Sequence, residues 1–404
     1  MRLDRLAETS QDAMEWRHAL HSWPETAFEE HVTAGFVEEK LRSFGFSVQT
    51  ALNGTAVLAR IGPASGKVVI FRAELDALPI KEQTGLPYRS KVEGNMHACG
   101  HDGHAAMLLG AARLIAETTS EAPGIIFLFQ PAEERGGGAN ALLQSGFLDD
   151  LDVEAIFGLH NWPGLPTGQF AVRPGPVMAA SDTFLIRVVG VGSHAAMPHE
   201  GSDPLVAACQ LVASLQSIVS RRVDPTKPVT ISVTQVHGGT ADNVIPSDAI
   251  ISGTIRTFDD GTRTMVKIAI EEMAIKLCGG FGCAAEVGFT SGYPAVNNSA
   301  GASEFAARCA ALANSETAVN IDYAPSMGTE DFSYYLQRFD GAYAWLGAGA
   351  DPSLPRLHSP YYDFNDELIP YGIKFWWTLA KRWTEINPSA EKGAALTQTG
   401  GERS

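Results

Sequence analysis

The stretch GKVVIFRAELDALP, residues 66–79, opens as a β-branched and aromatic run and breaks into a polar loop carrying Glu74 and Asp76. Two later stretches repeat that plan. GIIFLFQPAEERGGG (124–138) runs into Glu133 and Glu134, and EAIFGLHNWPG (154–164) carries His160. Short apolar runs bounded by Gly and Pro read as buried strands. Between the first two lies HAAMLLGAARLIAE (104–117), alanine-rich and free of breakers, which reads as a buried helix. Strands alternating with helices predict an α/β fold: an open, mostly parallel sheet with flanking helices. Ligands of such sheets sit at the carboxyl ends of the strands, where Glu74, Asp76, Glu133, Glu134 and His160 all fall.

Near residue 181 the pattern changes. SDTFLIRVVGV reads as a strand, 203–223 as a helix opened by an aspartate, VTISVTQVHGG and DAIISGTIRTF as alternating strands, 260–280 as a second amphipathic helix, and 284–296 as a last strand. The order β-α-β-β-α-β predicts a ferredoxin-like unit inserted into the first domain. The expected division is 1–181 and 299–387 for the two parts of the main domain, 182–298 for the insert, and 388–404 for a frayed tail.

The 404 residues are 45 % hydrophobic, enough for more than one core, and the formal charge is −16. That charge argues against nucleic acid and anionic membrane surfaces as partners. No run approaches the roughly 18 apolar residues of a membrane span. MRLDRLAETSQDAMEW has no apolar run behind its arginines, and five scattered cysteines predict a reducing compartment, the cytoplasm. In LCGGFGC, Cys278 and Cys283 lack a second Cys/His pair nearby, so buried thiols at a helix end are the better reading than half a zinc ribbon.

NMHACGHDGHAA (95–106) packs three histidines, a cysteine and an aspartate together. Cys99 and His101, two apart, can reach one point from an extended or turn backbone. With Glu134, His160 and His358 they make five donors, too many for one tetrahedral ion and suited to two ions sharing a bridge. Adjacent carboxylates on a loop point differently, so Glu134 can bind metal while Glu133 takes a proton from water. The competing reading makes Cys99 a nucleophile with His101 as base, and leaves the other residues without a role. Ser193 and His194 are adjacent and point apart. Asp102 reads as a helix cap, and His97 and His104 as hydrogen-bonders around the donors.

Taken together, FRAELDALPI, MHACGHDGHAAMLLGAA, FQPAEERGGGA, GLHNWPGLPTG, SHAAMPHEGSDP, GGTADNVIP, GTIRTF, MGTEDFSYY and LHSPYYDFND resemble the M20 metallopeptidase family over about residues 10–386. The resemblance is to its amidohydrolase branch, of aminoacylase, hippurate hydrolase and auxin-conjugate hydrolase type. It implies two divalent ions per subunit, zinc or manganese with cobalt or nickel open. Cys99 would be the bridging ligand, His101, Glu134, His160 and His358 the others, and Glu133 the general base. Asp76 matches an aspartate that supports the ligands, while Glu74 stands where many relatives outside the branch carry a metal-binding histidine. The resemblance further implies that His194 polarises the scissile carbonyl and that Asn243 and Arg256 hold a substrate α-carboxylate. The expected reaction cleaves N-acyl amino acids, with a dipeptidase or carboxypeptidase, or a non-catalytic binding protein, as alternatives. A homodimer or higher homo-oligomer through the inserted lid domain is implied as well.

Overall fold

Apolar residues at 68–71 and 125–129 leave no polar face, so their strands must be covered on both sides. They are: β3 and β4 below are buried over nearly their whole length. The computed structural model describes residues 3–118, 124–314 and 319–386; the expected tail at 388–404 lies outside the described residues. The principal strands are β1 (Ser47–Ala51), β2 (Ala56–Ile61), β3 (Lys67–Glu74), β4 (Gly124–Gln130), β5 (Asp152–Pro163), β6 (Phe170–Ala171), β7 (Ala180–Val189), β8 (Thr230–Gly238), β9 (Asp248–Thr257), β10 (Ala284–Ser291) and β11 (Gly341–Gly349). The principal helices are α1 (Leu3–Ser22), α2 (His31–Ser43), α3 (His101–Thr118), α4 (Pro204–Arg221), α5 (Asp260–Gly280), α6 (Ala300–Ala313) and α7 (Ile369–Ile386).

One sheet runs β1-β2-β4-β3-β5-β11-β6. Its four central strands, β4, β3, β5 and β11, are parallel. The edges are antiparallel: β1 with β2, β2 with β4, and β6 with β11. The sheet is therefore mixed. The short turn at Leu52–Gly54 can only make a hairpin of β1 and β2, because parallel neighbours need a long crossover. Phe71, Phe127, Phe157 and Trp376 meet in the core beside the sheet, with Phe71 and Trp376 ring centroids 5.3 Å apart. Helix α3, buried along most of its length, joins the same core through Met107, Leu108 and Leu109.

Two compact units divide the chain. The first holds the described residues of Met1–Gly175, Asn297–Ala324 and Tyr334–Ser404; the second holds Pro176–Val296 and Pro325–Ser333. The second unit carries β7, α4, β8, β9, α5 and β10, with its sheet in the order β8-β9-β7-β10 and every pairing antiparallel. Alternate residues of β7 (Phe184, Ile186, Val188) turn inward onto Leu211 and Leu215 of α4 and Ile270 of α5. Asp203 caps α4 by accepting from the Leu205 and Val206 amides, and Asp259 caps α5 through the Thr262 amide. Cys278 and Cys283 are buried free thiols at the end of α5. No helix among the described residues is long and apolar enough to cross a membrane.

Candidate metal centre

Five segments of the first unit carry the candidate donors, beginning with the turn into α3. Gly100, at φ +92°, lets that turn pass against Asn161, where a Cβ would stand 2.3 Å from Asn161 Oδ1. His101 is the first residue of α3, and Cys99 lies just before it. The loop after β3 supplies Asp76, the loop after β4 supplies Glu133 and Glu134, and β5 supplies His160 near its end. His358 follows β11, held at φ +65° with its amide donating to Ala98 O at 2.8 Å.

These side chains converge. One donor atom each from Cys99, His101 and His160 lie within 4.8 Å of one another, and so do those of Cys99, Glu134 and His358. The two groups share Cys99. His101, Glu133 and Glu134 form a further group on the same limit. Cys99 Sγ is 3.4 Å from His160 Nε2, and His358 Nε2 is 3.2 Å from Glu134 Oε1.

Hydrogen bonds fix which imidazole nitrogen faces inward. His101 Nδ1–H donates to Asp76 O at 2.9 Å and Asp76 Oδ1 at 3.2 Å, so in the neutral imidazole Nε2 carries the lone pair. That buried Nε2 has no hydrogen-bond partner among the described residues. His160 Nδ1–H donates to Asn161 O at 2.6 Å, so its Nε2 is the free nitrogen toward Cys99. Asp76 Oδ2 accepts the Glu134 amide at 2.8 Å, so one carboxylate holds both a histidine and the neighbouring acidic loop.

The electrostatics point the same way. Burial, then the charges of Glu134 and Glu133, push the Cys99 thiol well above its usual range. A thiol so placed makes a poor unassisted nucleophile, which counts against the cysteine-hydrolase reading. Burial pulls His101 down, but the Asp76 hydrogen bond and charge outweigh it and push the imidazole up to about 10. The Glu134 hydrogen bond raises His358 against its burial, while burial and then His104 hold His160 well below its ordinary value. The pocket is thus acidic and draws positive charge. A thiol, imidazoles and a carboxylate, with an unpartnered buried nitrogen among them, fit divalent metal ions.

The remaining candidates lie in the second unit. His194 and Asn243 are exposed and line one open groove with Gly192, Gly239 and Pro246. Ser193–His194 pairs antiparallel with Val244–Ile245, and the Ala195 amide donates to Asn243 O at 3.1 Å. Arg256, on β9, is outside that groove. Its half-buried guanidinium has no hydrogen bond or ion pair among the described residues, and burial lowers its pKa against the attraction of Asp182.

Residues 70–382 match Peptidase family M20/M25/M40. The chain belongs to this family. The M20 chain is 40 % identical to the N-acetyl-L-cysteine deacetylase of Bacillus subtilis (strain 168), covering 93 % of this chain and 89 % of that protein. It is 36 % identical to the hippurate hydrolase of Campylobacter jejuni, covering 91 % and 95 %. Among solved structures it is similar to the YXEP protein of Bacillus subtilis, described as a dinuclear metal-binding peptidase from the M20 family. There the TM-score is 0.82 at 33 % identity, over 94 % of this chain and 99 % of that one.

Two features of this M20 chain differ from the expectations above. Asp102 does not cap α3: it sits within the helix's first turn, and its Oδ2 accepts from Arg17 Nε and His21 Nδ1, each at 2.8 Å. The helix starts earlier than its apolar run, because Gly100 ends the preceding loop. Asn161 was also missed. Its backbone amide donates to His104 Nε2 at 3.0 Å and its Nδ2–H to Tyr362 OH at 2.6 Å, while its carbonyl orients His160. The one available signal was its place beside His160. His104 Nδ1–H donates to Glu74 Oε2 at 2.9 Å, and Glu74 also pairs with buried Arg72. Glu74 and His104 are therefore engaged with each other beneath the donors.

Proposed function

We propose that this M20-family metal-dependent amide hydrolase cleaves N-acyl amino acids to a carboxylic acid and a free amino acid. In this reading Cys99, His101, Glu134, His160 and His358 hold two divalent ions. The observation that carries the reading is the pair of three-donor groups sharing Cys99. The names of the deacetylase and the hippurate hydrolase support the substrate class, and the dinuclear YXEP neighbour supports the ion count.

Bound ions would supply Lewis-acid polarisation of the carbonyl and a lowered water pKa. The chain's own residues do the rest. Glu133, buried beside His101 and Glu134, takes a proton from water and delivers it to the leaving amine nitrogen. Asp76 keeps His101 in one tautomer and holds the Glu134 amide. His194 donates to the carbonyl oxygen as negative charge develops there. Arg256 takes the substrate α-carboxylate bidentately with Asn243 beside it, which gives the unpartnered guanidinium an anion.

Thiolate and imidazole donors suit zinc, with manganese, cobalt and nickel as further choices. Residues 182–298 form the inserted ferredoxin-like domain in this proposal, and copies of the chain pair through it to a homodimer or higher homo-oligomer in the cytoplasm. Sedimentation of the purified enzyme as a stable monomer would remove that last part.

The test restores divalent metal to the purified protein and assays N-acetyl, benzoyl and indole-acetyl amino acids beside dipeptides. Acyl amino acids should be cleaved. Glu133→Gln should retain metal and lose turnover by ~10²-fold or more. Glu134→Gln should lose metal too. Cleavage of dipeptides alone would favour a dipeptidase, and activity surviving exhaustive chelation would refute the metal mechanism.

A further inference from the structure

The family match begins at residue 70, yet an earlier segment grips two of the site loops. Ala77, next to Asp76, donates its amide to Glu25 O at 2.8 Å, and Thr26 bridges to Ala77 in parallel fashion. Gly136, two residues past Glu134, passes so close to Phe28 that a Cβ there would stand 2.6 Å from the ring. Two residues past Phe28, Glu30 crosses to the loop after β4, where its Oε1 accepts the Ala132 amide at 2.8 Å.

Glu30 is fully buried and sits immediately before α2, the place of an N-cap, but its side chain caps nothing. Glu25 does that work instead, accepting the Val32 and Thr33 amides at 3.1 and 2.8 Å. The Glu30 carboxyl is thereby released for Ala132. Ala132 is itself unusual. It is a fully buried non-glycine residue at φ +59°, a region that is unfavourable for an L side chain and persists only when the surroundings enforce it. The next residue is Glu133, and the one after it gives its amide to Asp76. The amides on either side of Glu133 therefore end on two different buried carboxyl groups.

We propose that Glu30 is a positioning residue: by holding the Ala132 amide it sets the direction in which the chain enters Glu133 and so aims that carboxylate. The inference rests on Glu133 being the proton carrier. Asp76 already secures Glu134, so losing Glu30 should disturb proton transfer and spare the metal.

The experiment compares Glu30→Ala, Glu30→Gln and the wild type for kcat, KM, metal content and amide exchange of the 131–137 segment. Glu30→Ala leaves a buried N–H without an acceptor, and a displacement near 1 Å costs about 10²-fold in turnover. Its kcat should drop roughly 10- to 100-fold, with KM and metal content unchanged and the Ala132 amide exchanging faster. Glu30→Gln retains a carbonyl acceptor and should rescue both kcat and protection. If Glu30→Ala does not fold, Glu30→Asp, one methylene short, should show the same loss. Wild-type kcat in a folded Ala or Asp variant would overturn the proposal. So would equal losses in the Ala and Gln variants, or metal loss that tracks kcat. Absence of any N-acyl hydrolysis in metal-restored wild type would instead sink the functional reading, while exchange would still report the clamp.

Discussion

Replacing Asp76 by alanine removes two acceptors and spares a third. The Glu134 amide loses Asp76 Oδ2 at 2.8 Å, and His101 Nδ1–H loses Oδ1 at 3.2 Å. The Asp76 carbonyl, 2.9 Å from the same Nδ1, stays and keeps the tautomer. The damage should therefore fall mainly on Glu134. Groups that orient metal ligands typically contribute 10- to 100-fold in affinity, about 1.4–2.7 kcal/mol. With the His101 tautomer preserved, the expectation lies toward the lower end. The unsatisfied Glu134 amide should also cost about 1–3 kcal/mol of metal-free stability. Asp76→Asn, which keeps an oxygen acceptor but no charge, should lose less on both scales. Competition with a chromophoric chelator reads the affinity, and denaturant titration of metal-free protein reads the stability. If Asp76→Ala bound metal within twofold of wild type while turnover collapsed, Asp76 would act on the reaction itself and the positioning argument would be wrong.

Cys99→Ser should lower metal occupancy and turnover together, because a hydroxyl poorly replaces a thiolate shared by two donor groups; a trapped acyl-Cys99 species would refute this. Amidation of the substrate α-carboxylate should weaken catalysis strongly in wild type and little in Arg256→Ala; a wild type indifferent to amidation would dismiss Arg256. Burial lowers His21, but the hydrogen bond and charge of Asp102 outweigh it and push its pKa up to about 9. A folded pKa above the unfolded ~6.5 gives stability that is complete below about pH 6.5 and lost as pH rises through about 9. The Tm deficit of His21→Ala should accordingly be largest near pH 6 and shrink toward pH 10. A deficit that grows with pH would contradict the pairing.

The central strands were legible because nothing polar interrupts residues 68–71 or 125–129, and because Gly and Pro mark where each loop begins. Once those strands lie parallel, their polar ends must share one edge, which is why Asp76, Glu133 and His160 could be grouped from sequence. Periodicity reveals nothing about partners far along the chain. Asp102 looked like a cap because caps are judged from the next few residues, whereas Arg17 and His21 approach from α1. Glu30 stands immediately before α2, and nothing in the neighbouring residues signals a partner beyond that helix. Its reach to Ala132 depends on Glu25 relieving it, a substitution of roles visible only in three dimensions. The antiparallel edge formed by β1 and β2 was hidden for a simpler reason: its strands are short and one of them is largely exposed.

The place of β11 in the sheet has a consequence for synthesis. It lies between β5 and β6, yet the whole stretch 176–296 leaves the ribosome before it does. Until Gly341–Gly349 emerges, the N–H and C=O groups along one edge of β5 lack their parallel neighbour, a state in which exposed strands pair with other chains. The intervening unit has a hydrophobic core of its own and can condense during that wait. A nascent chain stalled before residue 341 would already carry Cys99, His101, Glu134 and His160 but lack both the closing strand and His358. The late segment thus brings the end of folding and the last proposed metal ligand together, which keeps half-made chains from holding a finished centre.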